Sequence, residues 1–169
     1  MHKMVQIEVT KTLQTIRNLH PIMARVELKL PQHLPFETEI QVRITDLNYG
    51  RHMGNDALLS MIHEARVLFL HRLGFTELDV GGVGLIMTDS VIVYRSEAFQ
   101  GDVLRFLVGA DDFNRYGCDF VFQVLNQESG REVARAKTGV VCYDYAERKV
   151  QPMPETLYLR LIHGAEEAA

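Results

Sequence analysis

The stretch Asp46–Leu73, DLNYGRHMGNDALLSMIHEARVLFLHRL, decides how the rest of the chain is read. It passes from a polar, glycine-containing loop into a helical pattern, and it gathers Asp46, Asn48, His52, Asn55 and Glu64 in one short span. At about 100° per residue, Leu58, Ile62, Ala65, Phe69 and Leu73 form one apolar stripe. Leu59, Met61, Leu68 and Leu70 widen it beyond an ordinary amphipathic face, so the helix is expected to be wrapped by the fold rather than docked on one side. Asn55 or Asp56 is a suitable N-cap, and Gly74 a stop after about Leu73.

Upstream, Phe36 to Thr45 alternates, with Thr38, Ile40, Val42 and Ile44 on one face and Glu37, Glu39, Gln41 and Arg43 on the other, as in a half-buried strand. Downstream, Leu85–Tyr94, Val103–Val108, Cys118–Leu125 and Val133–Tyr143 read as strands. Their separators are the turn-rich segments Ser96–Asp102, Asp111–Gly117 and Asn126–Gly130. No proline falls between Phe36 and Gln151, which suits long uninterrupted elements. The order is strand, helix, then four strands; the short late turns imply an antiparallel meander with one apolar helix to cover a sheet face, an α+β domain. Gly81, Gly82 and Gly84 read as a loop, because GGVG lacks the Lys-Ser/Thr of a phosphate-binding loop.

The organisation expected is an N-terminal extension over 1–34, a main domain over 35–155 and a tail over 156–169. The extension is basic, broken by Pro21 and Pro31, with short strands suggested at Val5, Ile7 and Val9 and at Ala24, Val26, Leu28 and Leu30. Pro152 and Pro154 end the sheet, and the tail suggests a short helix. The 169 residues suffice for one core, and a net charge of −4 without a basic patch argues against a nucleic-acid partner. Cys118 and Cys142 sit in apolar runs and read as buried small hydrophobes, which suits a reducing compartment. No metal-ligand spacing, membrane-length apolar run or signal-peptide pattern is visible, so the reading is of a cytoplasmic protein with no metal, no cofactor and no membrane partner.

Asp46, Asn48 and His52 lie just ahead of the helix N-terminus, where free backbone N–H groups and the helix dipole favour developing negative charge. Together with Gly54 and Asn55 this is a place where a carbonyl can be polarised, and a nearby carboxylate can activate water or attack. The simpler reading of Asp46, Asn48 and Asn55 is capping and turn-shaping. Asp56, Ser60, Glu64, Val67 and His71 line one narrow helix stripe, read either as a solvated face or as a wall of a pocket or subunit contact. Arg66 lies at the edge of the apolar stripe, as expected of a structural ion pair. Arg95, Arg115, Arg135 and Lys137 are candidates to touch a phosphate-bearing ligand, although strand-face or turn charges explain them as well. There is no GxSxG nucleophile elbow.

The run Asp46-Leu47-Asn48-Tyr49-Gly50-Arg51-His52-Met53-Gly54-Asn55, followed by Glu64-Ala65-Arg66, resembles the signature of hotdog-fold acyl-CoA thioesterases of the 4-hydroxybenzoyl-CoA thioesterase type. Tyr94, Gly101-Asp102 and Val133-Ala134-Arg135-Ala136 resemble that family's later strand pattern. The resemblance implies an antiparallel sheet of about five or more strands wrapped around one long central helix, a homodimer or homotetramer, and thioester sites at the dimer interface. Asn48 stands where that family has its catalytic aspartate, and Arg51 where it has glycine before the histidine. An amide cannot act as a base, but it can orient water or donate to a carbonyl.

The activity expected is hydrolysis of an acyl-CoA thioester. In this reading Glu64 activates water at a site shared with a second subunit, Asn48 and His52 position carbonyl or water, and Asp46 is the reserve carboxylate. Gly54 and Asn55, with Arg95 and Arg115, bind substrate. The alternatives are a hotdog protein that binds acyl-CoA or another acyl ligand without turnover, and an enoyl-CoA hydratase-type hotdog enzyme.

Overall fold

The computed structural model describes residues 26–163. Strand β1 (Phe36–Gln41) leads through a short 3-10 turn (Ile44–Asp46) to helix α1 (Asn55–Arg72). Strands β2 (Gly84–Tyr94), β3 (Val103–Asp111), β4 (Gly117–Asn126) and β5 (Glu132–Asp144) follow, then a short β6 (Lys149–Val150) and helix α2 (Glu155–His163). All strands join one six-stranded antiparallel sheet in the order β1-β3-β4-β5-β2, with β6 paired to the end of β5. The meander runs through β3, β4 and β5 only. β2 crosses over to pair with β5, from Gly84 opposite Tyr143 to Tyr94 opposite Ala134.

Alternation on β3 and β4 turns Leu104, Phe106, Val108, Phe120, Phe122 and Val124 inward, where they meet Leu58, Ile62, Ala65, Phe69 and Leu70 of α1. Phe69 stacks on Phe36 at 5.4 Å and meets Phe120 edge-on at 6.1 Å, so one helix residue ties two strands to the core. The small Ala134 and Ala136 on β5 are also buried in this layer. The opposite sheet face is polar, with Lys137 to Asp119 at 2.7 Å and Arg135 to Glu132 at 2.8 Å. The segment before β1 crosses that face: Arg135 Nη1 donates to the Leu28 carbonyl at 3.3 Å, and a Cβ on Gly109 would stand 3.0 Å from Leu34.

Several expectations are revised. The first strand ends at Gln41, not Thr45, because the chain turns away after the Val42 amide donates to Asp102. Val42 is still 1% exposed, whereas Ile44, expected on the same buried face, is 64% exposed in the 3-10 turn. Gly54, not Asn55 or Asp56, is the N-cap of α1, since the Asp46 carbonyl takes the Gly54 amide and starts the helix one residue early. Gly74, at φ +82°, ends the helix as expected. Val26, Leu28 and Leu30 are in no strand; the strand expected around Val5 lies outside the described residues.

Arg66 is 6% exposed. Its Nε donates to Glu77 Oε1 at 2.8 Å, its Nη2 lies 2.8 Å from the same oxygen, and its Nη1 donates to Thr138 Oγ1 at 3.2 Å. Glu77 Oε2 meets His63 Nε2 at 2.8 Å. Burial pushes the Glu77 carboxyl up, but the hydrogen bonds from His63 and Arg66 and their charge outweigh it and hold the group below its ordinary value. A carboxyl with a lowered folded pKa adds stability that is complete above its unfolded value and is lost as pH falls through the folded one.

Arg66→Met strands the Glu77 carboxylate and is expected to cost roughly 3 kcal/mol, with Arg66→Met/Glu77→Gln recovering part of it. Urea unfolding at neutral pH checks the first. The wild type should also lose stability below about pH 4 more steeply than Glu77→Gln, measured as unfolding midpoint against pH.

Candidate functional site

The loop ahead of α1 folds back on itself and is fastened at both ends. Leu47 bridges Met53, the Asn48 amide donates to the His52 carbonyl at 3.0 Å, and the Arg51 amide donates to the Asn48 carbonyl at 3.0 Å. The turn puts Arg51 at φ +62°, in the left-handed region that favours glycine, which is the residue the resembled family carries there. The Met53 amide donates to the Ala98 carbonyl at 2.8 Å and the Gly54 amide to the Asp46 carbonyl at 2.8 Å, so the loop is pinned to both the β2–β3 connection and the helix head.

Within the loop, Asn48 Oδ1 accepts the Gly50 amide at 2.7 Å, which aims its NH₂ at His52 Nδ1, 3.4 Å away. His52 Nδ1 is also 3.3 Å from the Met53 carbonyl. One tautomer donates to that carbonyl and the other accepts from the amide; either way Nε2 makes no hydrogen bond among the described residues. The head of α1 carries no side-chain cap, and the amides of Asn55, Asp56 and Ala57 find no acceptor among the described residues. Such orphan donors at a positive helix end suit a carbonyl oxygen that gains charge.

Asn48, His52, Met53 and Asn55 line an open cavity of about 410 Å³ together with Tyr94, Arg95, Ser96, Glu97 and Ala98. Tyr94 Oη lies 3.4 Å from the Asn55 carbonyl. Burial, and then the charge of Asp56, push its phenol above the ordinary value, so it remains a protonated donor at neutral pH. Arg95 has only a 3.9 Å approach to Glu132, which leaves it available to an anion.

Glu64 and Asp46 line a different cavity, of about 490 Å³, between β1 and α1, with Arg43, Ser60 and Leu68. Asp46 Oδ2 is engaged by the Arg43 amide at 2.7 Å. A third cavity, of about 540 Å³, runs along the β2 flank of α1 from Asp56 past Leu59 and His63 to Arg66, against Leu85, Ile86 and Met87. The fold therefore brings Asn48, His52, Asn55 and Arg95 together and sets Glu64 with Asp46 apart from them. Arg115 lies on the β3–β4 turn, stacked 5.3 Å over Tyr116, and lines none of these cavities. Sequence reasoning missed Glu97, which falls in a connection without periodicity, and saw Tyr94 only as part of a strand.

Burial, chiefly, pushes the Cys118 thiol up to about 12 and the Cys142 thiol to about 11, so neither supplies a thiolate. Among the described residues no His, Cys, Asp or Glu cluster is arranged to hold a metal, and no helix is long and apolar enough to cross a membrane.

An antiparallel sheet with one long helix packed against it, and a polar loop leading into the head of that helix, is the hotdog fold. The model of the thioesterase-like superfamily matches residues 42–161, and the chain belongs to that superfamily. It is similar to Slr0204, a 1,4-dihydroxy-2-naphthoyl-CoA thioesterase from Synechocystis, with 24% identity, a TM-score of 0.69 and coverage of 76% of this chain and 96% of that one. YbaW, a probable thioesterase from Escherichia coli, gives 24% identity, a TM-score of 0.66 and coverage of 74% and 95%. SAV2348 from Staphylococcus aureus, solved in complex with CoA, gives 16% identity, a TM-score of 0.69 and coverage of 77% and 83%. At these identities the solved structures establish the fold. No curated protein matches the chain.

Gly50 lies under the Asn48–His52 pair: a Cβ there would stand 2.8 Å from His52 Nε2 and 3.1 Å from Asn48 Oδ1. Gly50→Ala is expected to displace the imidazole at a stability cost of about 0.5 kcal/mol or less, because the loop is exposed. Imidazole ¹⁵N shifts and an unfolding midpoint check the two halves.

Proposed function

We propose that the protein hydrolyses acyl-CoA thioesters to a free acid and CoA. One observation carries the proposal: in a chain of the thioesterase-like superfamily, Asn55, the first residue of α1 and one whose amide finds no acceptor among the described residues, lines the cavity that holds Asn48 and His52. A thioester oxygen set against the amides at the head of α1 is polarised, and the same donors meet the oxyanion formed when water adds to the carbonyl carbon. The Asn48 amide and the unengaged His52 Nε2 hold the carbonyl or the attacking water. Collapse of the intermediate expels the thiolate, a good leaving group because an ordinary thiol has a pKa of about 8.5. Arg95 at the rim suits a CoA phosphate.

In the mechanism read from the sequence, Glu64 activates the water. Since it opens on the β1 side of α1, it serves this cavity only through a second copy of the chain. A homodimer formed through β2 is the assembly we favour on the sheet edges, since that strand presents a free edge eleven residues long with Ile86, Met87 and Tyr94 exposed, whereas the β1 edge is shorter and alternates charged Glu37 and Glu39. Because β1 lies at the other end of the strand order, such a dimer keeps the β1-side Glu64 away from this cavity. The amide at Asn48 supports a second reading, a protein that holds acyl-CoA without hydrolysing it.

Thiol release from short, long and aromatic acyl-CoAs tests the reaction. The wild type is expected to hydrolyse at least one class, and His52→Ala and Asn48→Ala each to lower kcat by roughly 10- to 100-fold, since each removes one polar contact near the developing charge. Calorimetric binding of acyl-CoA without thiol release, with hydrolysis emerging only in Asn48→Asp, would instead establish the binding protein.

A further inference from the structure

Hydrolysis needs a base within reach of the carbonyl carbon, and the carboxylates around the cavity differ sharply in what already occupies them. Asp46 caps the Arg43 amide and faces the β1 side. Asp102 accepts the Phe99 amide at 2.9 Å. Glu132 Oε1 accepts from Arg135 and Gln123, each at 2.8 Å, and Glu132 lines none of the cavities described. Asp56 lines the β2-flank groove, and Glu64 the β1-side cavity. Glu97 alone among them lines the cavity of Asn48, His52 and the helix head, and its carboxylate has no hydrogen-bond or ion-pair partner among the described residues.

Its backbone is held firmly. The Glu97 carbonyl accepts Arg131 Nη2 at 3.1 Å, and Ser96 Oγ donates to the Glu132 carbonyl at 2.8 Å. The neighbouring Ala98 carbonyl takes the Met53 amide at 2.8 Å, and the Arg95 and Ser96 amides both donate to Val133. An exposed side chain without a partner among the described residues, on a connection anchored on both sides and lining the same cavity as an amide and an imidazole, has the freedom of a proton acceptor.

We infer that Glu97 is the general base of the hydrolysis proposed above, acting from within the same chain as Asn48 and His52. Its carboxylate takes a proton from water as the water oxygen bonds to the thioester carbonyl carbon. The carbonyl π pair moves to oxygen beside the α1 amides. When that pair returns, the carbon–sulfur bond breaks, and the proton held by Glu97 passes to the departing thiolate. One water is consumed, an acid and a thiol are formed, and Glu97 is regenerated as carboxylate. The inference rests on the hydrolytic reading and replaces Glu64 in it as the residue that activates water.

The test is steady-state thiol release by the full-length protein, with Glu97→Gln, Glu97→Ala and Glu64→Gln beside wild type, and Glu128→Gln, an exposed turn residue, as control. Glu97→Gln is expected to lower kcat by about 10²- to 10⁴-fold, the ordinary range for a lost general base. KM should stay within threefold, and the acidic limb of the kcat–pH profile should disappear, to the same order of reasoning. Formate added to Glu97→Ala should restore part of the rate, a rescue that a merely structural role would not show. Glu97→Gln within twofold of an active wild type, with Glu64→Gln inactive, overturns the inference and leaves the hydrolytic reading standing. A wild type that releases no thiol from any acyl-CoA overturns both.

Discussion

Helix α1 is buried against one sheet along most of its length, and the placement of the other elements follows from how that burial is achieved. Its buried residues Leu58, Met61, Ile62, Ala65, Phe69 and Leu70 face the sheet, with Phe69 set between Phe36 and Phe120 and small Ala134 and Ala136 in the buried layer. Leu59 and Leu68, expected to be wrapped, stay half-buried beside cavities on either flank. Arg66 interrupts the buried face. A guanidinium in such a place is tolerated only with its charge matched and its donors engaged, which Glu77 and Thr138 accomplish together. The segment after the helix is thereby tied to β5, and the geometry of the β2 flank is set by an ion pair rather than by apolar packing alone.

Burying the helix flank leaves its head as the open end. The amide of Gly54 is consumed by Asp46 and that of Met53 by Ala98, so the loop and the β2–β3 connection converge on the next turn without capping it. The uncapped helix end therefore stands beside a cavity, lined by Asn55 together with Asn48 and His52, rather than against a packed neighbour. The residues that shape the cavity come from segments far apart in sequence, and the two backbone hydrogen bonds that fasten the loop are what bring them together.

Much of this was legible in the sequence because it depends on period and local chemistry. The buried stripe of α1, the strands β2 to β5, the stop at Gly74 and the structural pairing of Arg66 all follow from spacing or from the cost of burying charge. Strand order was less legible: alternation shows that β2 is a strand but not that it crosses to β5. The cap was misread because Asn55 and Asp56 are good capping residues by type, while the deciding partner, the Asp46 carbonyl, belongs to the backbone and leaves no mark in side-chain identity. The division of polar residues among separate cavities was invisible for the same reason. Glu64 and Asn48 stand at suggestive positions along the chain, yet the helix turns one toward β1 while the loop holds the other toward β2. Glu97 was hidden because it is an exposed residue of a connection, with no period to reveal which of its side chains border a cavity.

The amide at position 48 makes chemical sense once the charges around the cavity are considered together. A carboxylate there would line the same cavity as Glu97, and like charges at short range disfavour one another's ionisation. An amide removes that conflict. Because Asn48 Oδ1 is fixed by the Gly50 amide, its NH₂ is presented as a donor beside His52, where a carboxylate would offer only acceptors. In the hydrolytic reading proposed above, the exchange divides two jobs: the loop amide is left to position the carbonyl, and proton transfer falls to the carboxylate of Glu97, which lines the same cavity.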